Sequence, residues 1–341
     1  MQDLINKLLI IRCPGIGPAR YNDLVTRFDG DVAAAARTLN TPSTHYDNIM
    51  REVERANESG IHYICDDDDL YPAALRRIKN HPPIITARGN LETLLRPVVA
   101  MVGTRHATAA GMEFMANIAN AFASHGVAVA SGMAIGTDTA AHRGALRADN
   151  DSATIAVLAG GVDYIWPIEN ESLYWDIVAR GVIISEMPVG FVPVATNFVQ
   201  RNRWVAGIAD KLILGEADMK SGSMATARFA IEYGRDIFAI PSHPSDARAA
   251  GPNSLISDGL ARLCDGVGCF FDDAPTTSVK SKNRKPENLS DDILDKLGTI
   301  PISESVLAQI VKKTVSEIKT HLVVLELQGL VRKTDGGYVR V

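Results

Sequence analysis

The chain has 341 residues, of which 46% are hydrophobic, and 35 Lys and Arg against 40 Asp and Glu give a formal charge of −5 at pH 7. Its length exceeds that of one simple core and predicts two or three domains. No apolar run approaches the roughly 20 residues of a membrane span, so we expect a cytoplasmic protein. The mild acidity argues against coating of nucleic acid by the whole surface, but it permits a local basic groove.

The first 60 residues predict a small helical domain of the SAM or helix-hairpin-helix type. Two short helices are joined by a turn that contains Gly15 and Gly17, and an alanine-rich helix follows over residues 31–39. The glycines permit a tight turn, and the amides at the next helix N-terminus can face a phosphate. Such a unit serves as a DNA contact or as a packing module, and the sequence leaves both open.

A run of four aspartates and the four cysteines raise the question whether the protein binds a metal ion. Residues 66–69 read DDDD, but four adjacent acids cannot converge on one ion, so a solvated loop leading into a helix from Pro72 is expected. The four cysteines contain no CxxC pair, which predicts reduced, buried thiols without zinc or disulfides. These are Cys13, Cys65, Cys264 and Cys269.

From residue 98 onward, short apolar runs alternate with amphipathic segments of helical length. The runs are VVAMVG, VAVASG, TIAVLAGG, GVIISE, DKLILGE and DIFAIPS. This alternation is typical of an α/β fold with a mostly parallel sheet and helices on both faces. Residues 61–271 are therefore predicted to form an extended Rossmann-like, doubly wound domain.

The C-terminal part predicts a linker and a small domain. Residues 272–290 lose their apolar periodicity and read as the linker. Residues 291–341 then predict helices near 291–297, from 304 and near 316–328, followed by a hairpin with Asp335 and Gly336 in its turn. This order indicates a winged-helix-like domain, and both duplex binding and a protein contact stay open for it.

The residues that follow the predicted strands favour an anion site. Ligands of open parallel sheets bind beyond the carboxyl ends of the strands. Glycines, hydroxyls and helix N-termini occur there at residues 103–105, 131–138, 160–163 and 221–223. Four such junctions on one sheet edge predict a groove that binds phosphate.

The segment FVQRNRWVAG, residues 198–207, places an arginine on an apolar helix face. Spacings of three and four put Arg201 on a stripe with Phe198 and Val205 that should face inward. A guanidinium stays charged when buried, so Arg201 needs an anionic partner. That partner is either an anion from outside the protein or a carboxylate within it, such as Glu216 or Asp210.

Signatures of catalysis are weak or missing. No GxxxxGK[ST] motif occurs, and no GxGxxG follows the first strand. Asp138 and His142, four residues apart, form either an acid–base pair or, as we favour, a capping carboxylate and a helix-face histidine. Asp218 and Lys220 only faintly suggest a metal nuclease.

Taken together, the motifs closely resemble the DNA-processing protein A (DprA/Smf) family. They are, in order, GTRHAT, SGMAIGTDTAAHRGAL, TIAVLAGGVDYIWPIEN, SEMPVGFVPVATNFVQRNRWVAGIADKLILGEA, SGSMATARFAIEYGRDIFAIP and GPNSLISDGL. The resemblance covers residues 60–270. It implies a dimeric single-stranded-DNA-binding protein without catalysis, cofactor or metal. It also implies that the protein protects incoming DNA and hands it to the RecA recombinase, past single-strand-binding protein, in natural transformation and recombination.

The resemblance also implies which residues bind the single strand. They are Gly103, Thr104, Arg105, Ser131, Gly132, Gly160, Gly161, Arg201, Asn202, Arg203, Ser221, Gly222 and Thr226. Base stacking needs aromatic side chains, and Trp166, Phe198 and Trp204 are candidates that the sequence does not separate from core residues.

Two further functions remain as alternatives. One is a nucleotide or phosphoribosyl enzyme that uses the same groove for a small phosphate. Against it, Gly160 and Gly161 continue as Val162 and Asp163, without the PGGxGT-like loop of the enzymes we would compare. The other is a DNA-repair nuclease, which would depend on Asp218.

Overall fold

The computed structural model describes residues 2–149, 153–271, 289–298, 301–334 and 336–341. Residues 1–271 and 272–341 form two compact units. Within the described ranges, no helix combines the length and the apolar character needed to cross a membrane.

The first unit begins with four helices. These are α1 (Gln2–Ile11), α2 (Pro18–Thr26), α3 (Val32–Arg37) and α4 (Ser43–Glu58). The prediction of α1, α2 and α3 is confirmed, whereas α4 was missed because its segment is polar overall. Its buried positions Ile49, Val53 and Ala56 nevertheless follow helical spacing.

These helices pack on the edge of the sheet in the same compact unit. Ile5 and Leu8 of α1 form a buried cluster with Ile84 of the second strand. The Lys7 ammonium lies 3.2 Å from an Asp66 carboxylate oxygen and 2.6 Å from one of Asp67. The predicted solvated loop is confirmed for Asp67, Asp68 and Asp69, which are exposed, whereas Asp66 is partly buried beside Lys7.

The sheet of the first unit has nine strands. They are β1 (His62–Cys65), β2 (Ile84–Gly89), β3 (Val98–Val102), β4 (Ala128–Ser131), β5 (Thr154–Val157), β6 (Val182–Ser185), β7 (Lys211–Leu214), β8 (Asp236–Ala239) and β9 (Arg262–Leu263). Their order is β1-β2-β6-β5-β4-β3-β7-β8-β9. Strands β3 to β8 pair in parallel, which confirms the predicted Rossmann-like fold. The antiparallel pairs β1–β2 and β2–β6 were not predicted.

Helices cover both faces of this sheet. They are α5 (Ala73–Arg76), α6 (Ala109–Ser124), α7 (Thr137–Leu146), α8 (Glu171–Arg180), α9 (Ala195–Gly207), α10 (Gly222–Glu232), α11 (Ala250–Ser257) and α12 (Gly268–Phe271). Ala100 and Val102 of β3 face a cluster with α9 and α10, whereas Val99 and Met101 face α6 and α7. This two-residue alternation gives the unit one core on each face of the sheet.

The second unit contains three helices and a hairpin. Its elements are α13 (Leu289–Lys296), α14 (Glu304–Val311), α15 (Val315–Leu327), β10 (Val331–Thr334) and β11 (Gly337–Arg340). Its core joins Ile293, Leu307, Ile318 and Tyr338. The helices and the hairpin agree with the predicted winged-helix-like pattern. Most of the predicted linker, residues 272–288, and the turn residue Asp335 lie outside the described residues.

No disulfide joins the cysteines whose side chains the structure describes. Cys264 is buried, but Cys13 and Cys65 are partly exposed, so the expectation of burial is wrong for these two. The side chain of Cys269 lies outside the described part of the chain.

Candidate functional site

A cleft of about 630 Å³ opens beyond the carboxyl ends of the central strands. From β3, the strands β4, β5 and β6 follow in chain order toward one edge of the sheet, and β7 and β8 lie on the other side of β3. The strand order therefore reverses between β3 and β7. Binding sites of open α/β sheets form at such a reversal because the flanking loops diverge there.

The cleft brings together most of the residues predicted for the single-strand site. Those that line it are Gly103, Thr104, Arg105, Gly132, Arg201, Asn202, Ser221, Gly222 and Thr226. They come from the ends of β3 and β4, from α9 and from the start of α10. The shared sheet edge that the sequence predicted therefore explains their proximity.

Four predicted site residues lie outside this cleft. Ser131 is buried beneath it and donates its hydroxyl hydrogen to the Met101 carbonyl at 2.6 Å. Gly160 borders a small side cavity, and Gly161 packs so closely on the 188–190 loop that a Cβ would lie 2.6 Å from the Pro188 carbonyl. Arg203 pairs with Glu186 at 3.5 Å. The direction of Arg203 follows from helix geometry, because a residue two positions after Arg201 lies about 200° around the helix.

The N-terminus of α10 contributes positive electrostatic potential to the cleft, whereas the first amide of α7 is already paired with the Thr104 carbonyl. Ser221 caps α10, and its hydroxyl oxygen accepts a hydrogen bond from the Met224 amide at 3.3 Å. At the start of α7, the Thr137 hydroxyl donates to the Thr104 carbonyl at 3.0 Å and ties this helix to the end of β3. Unpaired amides at helix starts favour an anion.

Arg201 has neither of the carboxylate partners that the sequence suggested. Its side chain is buried, and Nη1 donates to the carbonyl oxygens of Gly132, at 2.5 Å, and Val157. Glu216 instead accepts hydrogen bonds from the amide and hydroxyl of Thr108, and Asp210 pairs with Arg77 and Arg235. Burial lowers the pKa of Arg201 to about 10, against the attraction of Asp138.

Asp138 and His142 do not form an acid–base pair facing the cleft. The Asp138 Oδ2 accepts hydrogen bonds from the amides of Gly132 at 3.2 Å and Ala134 at 3.3 Å. The His142 ring is fully buried, with Nδ1 2.7 Å from the Thr154 hydroxyl, and burial lowers its pKa to about 3. Asp138 therefore organises the loop before α7, and His142 is a neutral core residue.

An aromatic pair lies at the cleft. The rings of Trp166 and Phe198 have centroids 4.4 Å apart, and both side chains are partly exposed and line the cleft. Trp204, in contrast, is only 3% exposed and belongs to the core. The sequence named all three without distinguishing them. The structure separates them because α9 turns Phe198 and Trp204 to different surroundings.

The candidate nuclease residue Asp218 stabilises a turn. Its carboxylate accepts a hydrogen bond from the Lys220 amide at 2.7 Å. In the part of the chain that the structure describes, no three His, Cys, Asp or Glu residues lie together as a metal site would require.

Two family models match the chain. The model of DNA recombination-mediator protein A matches residues 62–273, and the DprA winged helix domain matches residues 278–337. These spans correspond to the sheet-containing unit without its N-terminal helices and to the C-terminal unit.

Curated relatives match over most of the chain. Protein Smf of Escherichia coli is 31% identical over 319 residues, which cover 90% of this chain and 84% of that protein. Protein Smf of Synechocystis is 30% identical over 329 residues, which cover 85% of this chain and 82% of the relative. The similarity thus extends beyond the sheet domain.

Two solved structures share the fold. DNA processing protein A from Streptococcus pneumoniae superposes with a TM-score of 0.66 at 28% identity, over 77% of this chain and 95% of that one. DNA processing protein A from Helicobacter pylori, a structure that describes a unique single-stranded DNA binding mode, gives a TM-score of 0.56 at 30% identity. It covers 62% of this chain and 95% of its own.

Proposed function

Because this chain belongs to the DNA recombination-mediator protein A family, we propose that it binds single-stranded DNA in the cleft at the ends of β3 and β7. The observation that carries the proposal is the meeting of an exposed arginine, the N-terminus of α10 and a partly exposed aromatic pair in one cleft. This combination suits a polymer of phosphates and bases, since it offers separate contacts for each.

The phosphate contacts come from Arg105 and the N-terminus of α10. Arg105 is exposed at the rim of the cleft, immediately after β3. The start of α10 at Gly222 presents unpaired amides to the same space. A guanidinium and helix amides bind phosphate without reading a base, so binding should tolerate many sequences and weaken steeply as salt rises.

The base contacts come from Trp166 and Phe198. The Arg105 Cζ lies 5.3 Å from the centroid of the Trp166 ring, so the cationic and aromatic groups adjoin. An unpaired base can stack on this surface while the neighbouring phosphate meets the guanidinium. A duplex cannot do so without unstacking, which favours the single strand.

We further propose that the protein protects incoming single strands and loads the RecA recombinase on them, in transformation or in recombination more generally. It does so without turnover, in the cytoplasm, as a homodimer, and it acts beside single-strand-binding protein. The edge strand β9 and the turn before it support the dimer, because Leu260 and Leu263 expose 48% and 47% of their surface there.

The enzyme alternative has less support. The Gly160-Gly161 loop, which a nucleotide-processing enzyme would use to hold a phosphate, packs on residues 188–193 rather than opening into the large cleft.

Fluorescence anisotropy of a labelled oligo-dT across a salt series tests the proposal. We expect salt-sensitive binding that unlabelled single strands displace, that duplex displaces poorly, and that mononucleotides leave unchanged. Absent binding, or efficient displacement by a mononucleotide, would overturn it in favour of a small phosphate ligand.

A further inference from the structure

We propose that Arg201 is a positioning residue that holds the cleft in shape from below and makes no contact with phosphate. This inference rests on the proposed binding of single-stranded DNA. It separates two arginines that the sequence treats alike, Arg105 and Arg201, and assigns the phosphate contact to Arg105 only.

The hydrogen bonds of Arg201 connect three parts of the cleft. Nη1 donates to the carbonyl of Gly132, after β4, and to that of Val157, at the end of β5. Nε lies 3.3 Å from the Asn202 side-chain oxygen, and the Asn202 amide donates to the Gly222 carbonyl at 3.2 Å. A continuous set of contacts thus runs from two strand ends, through α9, to the N-terminus of α10.

The space around the guanidinium is already filled. A Cβ on Gly132 would lie 2.6 Å from Cζ and from both terminal nitrogens of Arg201, so the backbone passes directly against the planar group. The side chain is 6% exposed. A phosphate would therefore have to displace protein groups to reach it.

A buried carboxylate of the protein also attracts Arg201. Asp138 is buried and attracts Arg201, and its carboxylate binds the amides of Gly132 and Ala134. The Gly132 amide thus donates a hydrogen bond to Asp138, and the Gly132 carbonyl accepts one from Arg201. Moving either charged residue would shift the loop that lines the cleft, and the cleft's capacity for DNA would change with it.

The salt dependence of binding distinguishes positioning from phosphate contact. Each neutralised phosphate of a single strand contributes about 0.7 to the slope of log Kd against log salt. We expect Arg201→Lys, which keeps the charge but loses the planar fork, to raise Kd about tenfold while the slope stays that of the wild type. The matched change Arg105→Ala should instead lower the slope by about 0.7.

A second variant guards against misfolding. The double change Arg201→Met with Asp138→Asn removes both buried charges together, so neither is left unpaired, and we expect the same loss of affinity at an unchanged slope. A slope that falls as far as in Arg105→Ala would make Arg201 a phosphate ligand. If a folded Arg201→Lys protein binds oligo-dT with the Kd of the wild type, the positioning role is also overturned.

NMR of the arginine side chains in the wild type gives an answer without any variant. We expect the Arg201 Nε–H to exchange slowly in the free protein and to keep its shift when oligo-dT is added, while the Arg105 signal moves. An Arg201 shift as large as that of Arg105 would contradict the inference. Failure of the wild type to bind oligo-dT would instead overturn the proposed function itself.

Discussion

The Arg105 guanidinium lies beside the indole ring of Trp166, with Cζ 5.3 Å from the ring centroid. The two residues lie in the connections that follow β3 and β5, and they meet because parallel strands end at one sheet edge. They place a charged and an aromatic surface side by side, and the proposed function assigns both to one nucleotide.

Arg105→Ala should weaken binding of oligo-dT and reduce its salt dependence. Loss of one phosphate contact lowers the slope of log Kd against log salt by about 0.7. Arg228→Ala is the matched control, since this arginine is exposed on α10 and does not line the cleft. Anisotropy at several salt concentrations measures both. Equal effects of the two variants would indicate a general charge effect instead of a site.

Trp166→Ala should weaken single-strand binding by about 1–3 kcal/mol, the usual contribution of a stacked base, whereas Trp166→Phe should retain part of it. The salt slope should stay unchanged, because no phosphate contact is lost. Trp175→Ala serves as the control, since Trp175 is 45% exposed on α8 and lies outside the cleft. A Trp166→Ala protein with wild-type affinity would show that bases do not stack there.

His81 should stabilise the protein more in mild acid than in mild alkali. Its Nε2 lies 3.4 Å from an Asp66 carboxylate oxygen, and this partner raises the pKa of His81 above its ordinary 6.5. When folding raises the pKa of a histidine, its stabilising contribution is fully present at pH values below the unfolded-state pKa. The contribution is lost as pH rises through the folded-state pKa. Thermal unfolding of His81→Gln should therefore differ from the wild type more at about pH 5.5 than at about pH 8.5.

His62→Gln provides the comparison for that measurement, because His62 is an exposed residue of β1. Its difference from the wild type should be small at both pH values. A His81→Gln effect that is the same at both would show that the ion pair with Asp66 does not form.

His142 should make the protein sensitive to acid. Burial lowers its pKa to about 3, so between pH 6.5 and that value the unfolded chain binds a proton that the folded protein does not. Stability is therefore lost as pH falls through this window. His142→Asn, which keeps a polar atom near the Thr154 hydroxyl but does not titrate, should lose less stability there. Urea unfolding across the window measures this, and parallel pH profiles for the two proteins would contradict it.

Local patterns determined much of this protein. The apolar runs of β3 to β8 alternate with helical segments. Strands repeat their side-chain direction every two residues and helices every 3.6 residues, so the sequence alone distinguishes them without knowledge of tertiary contacts. Once those strands are parallel, their carboxyl ends share an edge, so the proximity of Arg105, Gly132 and Gly222 follows from topology.

Only the tertiary structure decided what each side chain of that edge meets. The short strands β1 and β2 form because they find partners at the edge of a sheet built from distant residues. Arg201 and Arg203 carry the same charge, yet they have different partners. Arg201 donates hydrogen bonds to strand-end carbonyls, whereas Arg203 pairs with Glu186. The spacing of residues along a helix predicts which side chains face the core together. The partners they meet there belong to other elements, whose placement depends on how the whole core packs.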